Sequence, residues 1–169
     1  CLLTLDFQHG SIHNSQKLMF PNIQKGFDSG DFLYASYSVA FYTLYKVYGN
    51  YPLAKLNQES QPLCEKLDAL NQNVGLGWTK SFMQFVSNLT NENEVNTTLN
   101  GEHFNEAAMM QFMTESKNVT GITLMHIVNG MNSFVFDDYH NAIKHFNNAT
   151  PTLDALVGTP MVHAHAFYL

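Results

Sequence analysis

Residues 32–48 are apolar on nearly every face of a helix, with Phe32, Leu33, Tyr34, Val39, Phe41, Tyr42, Leu44, Tyr45, Val47 and Tyr48. A helix with so thin a polar face has to be packed on several sides. Gly30 breaks the chain before it, Asp31 can cap it, and Gly49 stops it. A fold built around such an element is a stack of helices. The rest of the chain agrees. The spacing predicts helices over 15–28 (Leu18, Met19, Ile23, Phe27, with Pro21 inside) and over 52–71 (Leu53, Leu56, Leu63, Leu67, Leu70). In the second of these Pro52 suits the first turn and Pro62 predicts a kink. Val74 to Leu89 carries Trp78, Phe82, Phe85, Val86 and Leu89 at helical spacing. Residues 2–9 read as a helix end stopped by Gly10, and 90–101 as a polar, Asn-rich loop.

Further helices follow, the first of them short. Asn105 can cap one holding Met109, Met110, Phe112 and Met113. Thr120 is the expected cap of the next, which holds Ile122, Leu124, Met125, Ile127, Val128, Met131 and Phe134. Asp137 or Asp138 caps a helix through about residue 149, extending past Pro151 to Leu156. Thr159 and Pro160 then form a cap and first-turn pair for a last helix. No period-2 alternation bounded by hairpin turns competes. The fold class is therefore all-α, with about eight or nine helices as antiparallel hairpins in a single domain over residues 1–169. The start at Cys1 and the stop inside an apolar segment read as a fragment of a longer chain.

Composition narrows the function. There are 8 Lys, no Arg and 14 Asp plus Glu, for a net charge of −6. Nucleic-acid and anionic-membrane surfaces need basic excess and Arg forks, so neither is an expected partner. No apolar run reaches the ~18 residues of a membrane span. Cys1 and Cys64 make no disulfide framework, which suits a reducing, cytoplasmic compartment. Sequons at Asn88, Asn96, Asn118 and Asn148 are what an Asn- and Thr-rich chain produces by chance.

No residue set reads as catalytic, cofactor-binding or metal-binding. His9 and His13 are separated by Gly10; His140 and His145 are offset by about 140° on a helix; His163 and His165 point to opposite faces. Glu102 and Glu106, like Asp137 and Asp138, read as carboxylates favoured at a helix N-terminus rather than an acid–base pair. Cys64 in its Leu-rich helix reads as a buried, inert thiol. The Met set (Met109, Met110, Met113, Met125, Met131) and the Tyr set (Tyr34, Tyr37, Tyr42, Tyr45, Tyr48) read first as core and second as the lining of an adaptable groove.

One pattern recurs: a polar cap, an aromatic, two residues and Ala. It occurs at Asp31-Phe32-Leu33-Tyr34-Ala35, at Asn50-Tyr51-Pro52-Leu53-Ala54 and at Asp138-Tyr139-His140-Asn141-Ala142. The cap satisfies orphan N–H groups, the aromatic fills the turn, and Ala lets two helices approach. Such starts are typical of tetratricopeptide-like (TPR-like) hairpin arrays, of which this would be a degenerate example. The stretch Gly30 to Ser38 resembles the "GD-aromatic-x-x-A-x-Y" start in very large bacterial multi-domain signalling kinases. Their order is a serine/threonine-kinase-like domain, an AAA or STAND-type ATPase, a helical repeat region, a GAF domain and a sensor histidine kinase. Gly101-Glu102-His103-Phe104-Asn105-Glu106, Asp137 through Ala142, and His165-Ala166-Phe167-Tyr168-Leu169 are similar to further stretches of that helical region, in the same order. The resemblance covers roughly residues 15–169. It implies a non-catalytic, cytoplasmic scaffold that links an ATPase to sensor and kinase output, with neighbouring domains and other proteins as partners. The alternative is a stand-alone helical repeat domain that binds a peptide or small ligand. Apolar residues at both ends of the sequence also suit self-association.

Overall fold

In the computed structural model the described residues are 12–49, 51–91 and 95–169, with side chains described from residue 18 onward. They contain eight α-helices, one 3-10 helix and no strand. The α-helices are α1 (Ile12–Asp28), α2 (Phe32–Tyr48), α3 (Leu53–Ala69), α4 (Asn73–Thr90), α5 (Glu106–Glu115), α6 (Val119–Val135), α7 (Tyr139–Ala149) and α8 (Pro160–Tyr168). The 3-10 helix spans Thr150–Leu156, between α7 and α8. The all-α reading therefore holds. The expected helix end over 2–9 lies outside the described residues.

Consecutive helices pack as hairpins: α1 on α2, α3 on α4, and α6 on α7. The hairpins are joined sideways by α2 on α4 and α4 on α6, while α5, the 3-10 helix and α8 pack on α6. This explains why α2 is apolar all round. Its Ala35, Val39, Tyr42 and Tyr45 enter one core with Met19, Ile23, Phe27, Leu63 and Leu67. Its Ala40 and Leu44 enter a second core with Trp78, Phe82, Met125, Val128 and Phe146. Helix α4 is shared in the same way, giving Leu76 and Met83 to the first core and Trp78, Phe82 and Phe85 to the second.

The helix junctions reuse one backbone device. Gly30, Asn71, Lys117 and Asp137 all take left-handed φ, at 79°, 53°, 53° and 62°. The residue after each, Asp31, Gln72, Asn118 and Asp138, has φ between −82° and −87° and begins the next helix. Its N–H reaches back to the ended helix: Asp31 to Gly26 O at 2.9 Å, Gln72 to Leu67 O at 2.9 Å, Asn118 to Met113 O at 2.8 Å and Asp138 to Ser133 O at 2.9 Å. A left-handed residue whose successor bonds back across the last turn satisfies carbonyls the helix would leave orphaned. The chain reverses within two residues, so the helices on either side must lie together.

Several local expectations change. Thr120 is not the cap of α6; Asn118 is, its Oδ1 accepting from Gly121 N at 2.8 Å, because the left-handed turn at Lys117 starts the helix earlier. Asp31 stands at its cap position without a side-chain cap bond. Of the two candidates before α7, Asp138 caps and Asp137 is the left-handed turn residue. Pro52 is the residue before α3 rather than in its first turn. The extension of α7 past Pro151 continues as the 3-10 helix. Asn105 and Thr159 cap as expected. In the recurring pattern Ala35 and Ala142 are buried at helix contacts, whereas Ala54 is exposed, so the second copy is not the same packing device. Leu18 is exposed beside buried Met19 and Ile23.

The Asn-rich stretch is more than a solvated loop. Leu99 and Phe104 plug the second core. Asn88 Nδ2 donates to Thr98 O at 2.8 Å and to Asn132 Oδ1 at 2.9 Å, and Asn132 Nδ2 donates to Asn96 O at 3.0 Å. Buried amides on α4 and α6 thus hold the backbone of residues 96–98 as a strap.

Candidate binding cleft

Helices α1 and α3 both pack on α2, and between them lies an open cleft of about 540 Å³. Phe20 and Gln24 come from α1, Tyr42 from α2, and Glu59, Pro62, Leu63 and Lys66 from α3. Phe20 and Tyr42 meet with ring centroids 5.9 Å apart. Pro62 sits in the exposed face of α3, where its missing N–H and its ring add apolar wall.

One end of the cleft is polar and fixed. Lys46 is almost fully buried and ion-pairs with Glu59, which also accepts from the Tyr51 hydroxyl. The Lys46 ammonium lies 4.4 Å from the Tyr42 ring centroid and 3.9 Å from that of Tyr51. Burial opposes the charge on Lys46, but the contacts with Glu59 and Tyr42 outweigh it and its pKa is raised. The hydrogen bond from Lys46, then that from Tyr51, holds the Glu59 carboxyl below its usual value. Farther along α3, Lys66 lies 3.9 Å from the Phe27 ring centroid. A volume of this size falls within the range of small-ligand and side-chain pockets. It offers apolar walls, a carboxylate already paired, and an amine, which suits recognition of an amphipathic guest.

A second cavity, of about 170 Å³, is polar. It is lined by Thr97 and Thr98 of the strap, Glu106 of α5, Asn129 and Ser133 of α6, and Asp138, Asn141 and His145 at α7. Burial raises the Glu106 carboxyl pKa, partly offset by hydrogen bonds from Leu99 N–H and Asn129. Beside the cavity His126 and His145 face each other across the α6–α7 hairpin, Nδ1 to Nδ1 at 3.2 Å. Burial lowers both, with the neighbouring His126 a further cause for His145, which falls to about 4.

His145 and His165 have partners other than the histidines that spacing pairs with them. His140 is exposed, and His145 turns instead to His126 on the preceding helix. His163 is exposed, while His165 is buried with Nε2 3.1 Å from both Phe146 O and Thr150 Oγ1. His9 and the side chain of His13 lie outside the description. Glu106 lines the polar cavity while Glu102 is exposed in the turn before α5. Asp137 accepts from the Tyr139 hydroxyl at 2.6 Å, and Asp138 bonds to Asn141. Cys64 is buried 3.5 Å from Met83 Sδ, its thiol pushed up to about 11 by burial. Met113, Met125 and Met131 are core, with Met109 and Met110 half-buried against it. Of the tyrosines, Tyr45 is core, Tyr37 stacks on Trp78, Tyr48 donates to Met131 Sδ and Tyr34 is exposed; only Tyr42 lines the cleft. The Lys46–Glu59–Tyr51 network and the His126–His145 contact have no local sequence signature, because each joins residues from different helices or turns.

Among the described residues no three His, Cys, Asp or Glu side chains converge as a metal site, and no helix is long and apolar enough to cross a membrane. Comparisons with protein-family models, curated proteins and solved structures give no match.

Proposed function

We propose that this chain is a non-catalytic, TPR-like helical scaffold that serves protein–protein interaction, with the α1–α3 cleft as its contact face. The observation that carries the reading is the reuse of one tight left-handed link at four helix junctions, which turns a helical chain into stacked hairpins. Stacked hairpins present grooves between their first helices, and here α1 and α3 flank such a groove. Together with the sequence resemblance, this favours a cytoplasmic region of a bacterial multi-domain sensor kinase, between its ATPase and its kinase output. In that setting the hairpins would carry signal through two packings with different partner contacts.

The test is made in a full-length polypeptide that carries residues 12–169. Replacing them with a flexible linker of equal residue number should leave ATP hydrolysis intact and abolish signal-dependent autophosphorylation. Unchanged coupling would overturn the proposal. The second reading, a stand-alone domain that binds a peptide in the cleft, draws on the same apolar walls. It requires that Phe20→Ala and Leu63→Ala weaken capture of an amphipathic peptide by the isolated chain, with the helical circular dichroism unchanged.

A further inference from the structure

A facing histidine pair is an uncommon arrangement with few chemical solutions. The rings of His126 (α6) and His145 (α7) have centroids 5.5 Å apart and planes 46° apart, and their Nδ1 atoms are 3.2 Å from one another. At that distance only one of the two nitrogens can carry a proton, so one donates and the other accepts. The same distance matches the edge of a tetrahedron around an ion with bonds of about 2.0–2.1 Å, roughly 3.3 Å.

We propose that His126 and His145 form a two-histidine site for a borderline divalent transition ion, zinc in the first instance, which bridges α6 and α7. Neutral imidazole nitrogen is the ligand such ions prefer. Both side chains are half-buried, and their burial disfavours the charged form that would compete with the ion. His145 also lines the polar cavity whose carboxylates, Glu106 and Asp138, bias it toward cations; Lys144 next to His145 acts in the opposite sense. On binding, the Nδ1 proton of the donor ring moves to its Nε2, so each ring stays neutral. With no third protein ligand among the described residues, water fills the remaining positions and the ion exchanges readily. This inference is independent of the scaffold reading.

The test is titration of the whole chain with zinc ion, followed by calorimetry and by the imidazole nitrogen resonances of all histidines. The expected result is one saturable equivalent, reversed by a chelator, with the Nδ1 signals of His126 and His145 moving together. His126→Gln and His145→Gln should each lower affinity by about tenfold or more, since losing even an outer partner of a ligating histidine costs about 10–100-fold, while His140→Gln binds as the parent does. The resonance measurement uses the unaltered protein, so a misfolded variant does not blur the outcome. Absence of saturable binding, movement of other histidines instead of these two, or full affinity in either Gln variant would overturn the proposal.

Discussion

Substituting Gly75 by alanine tests how closely α2 and α4 approach. A Cβ built on Gly75 would lie 2.6 Å from Ser36 Cβ and Oγ and 2.7 Å from the Ser36 carbonyl carbon. Ordinary carbon contacts are about 3.5–4.0 Å, so the helices would have to part by roughly 1 Å. The backbone atom cannot rotate away, and Ser36, Thr79 and Ala40 around the crossing are buried. Overpacking of this kind costs about 1–3 kcal/mol, against a helix-propensity gain of up to about 1 kcal/mol. The expected net loss for Gly75→Ala is about 1–2 kcal/mol. Gly77 is the control. A Cβ there meets only the tip of Met109, Cε at 2.5 Å and Sδ at 2.6 Å, on a half-buried side chain that can swing aside. Gly77→Ala should therefore be neutral or stabilising by up to about 1 kcal/mol. Ser36→Gly should rescue Gly75→Ala in part, because it removes Cβ and Oγ but not the carbonyl carbon. Urea unfolding followed by helical circular dichroism, read as a midpoint change at constant slope, measures all of these. Gly75→Ala at or above parental stability, or equal effects at both glycines, would refute the close crossing.

Asn88→Ala should cost about 2–3 kcal/mol, since it strands Asn132 Oδ1 and Gln84 Nε2 inside the protein and frees Thr98 O; limited proteolysis should then find the 96–98 strap cut faster than in the parent. Stability should also fall on acidification. The folded state holds His145 neutral with a pKa of about 4 against an ordinary 6.5, so its contribution is complete above pH 6.5 and is lost as the pH drops toward 4. Solvent screening of this half-exposed ring reduces the linkage to roughly 1 kcal/mol. His145→Gln in metal-free buffer should flatten that part of the pH–stability curve, and an unchanged curve would contradict the assignment.

Helices carried by their own periodicity were legible in the sequence. The bounds of α2 follow from its glycine breaks, and its all-round apolar surface announced the two cores that it joins. Helix starts were harder. A Thr or Asp near a start looks like a cap on its own, but the left-handed residue before it decides the register; Lys117 does not advertise positive φ, and Asp137 does so only weakly. The loop over 90–101 is legible, but its polar composition hides Leu99, which is buried where amides of α4 and α6 hold the neighbouring backbone. Tyr42 was within the set considered for a groove. Its cleft partners Phe20, Glu59 and Lys66 were not, because they are gathered from α1 and α3 only by tertiary packing.

The central claim is that α2, α4 and α6 pack as one spine, and Trp78, the sole tryptophan, sits where they meet. Its ring stacks on Tyr37 at 5.2 Å and meets Phe41 at 6.4 Å, and its Nε1 lies 3.1 Å from where a Cβ on Gly121 would stand. The direct measurement is the set of nuclear Overhauser contacts from the Trp78 indole. The spine predicts cross-peaks to Tyr37 and Phe41 on one side and to the Gly121 α-protons on the other. Contacts confined to residues of α4 itself would contradict it.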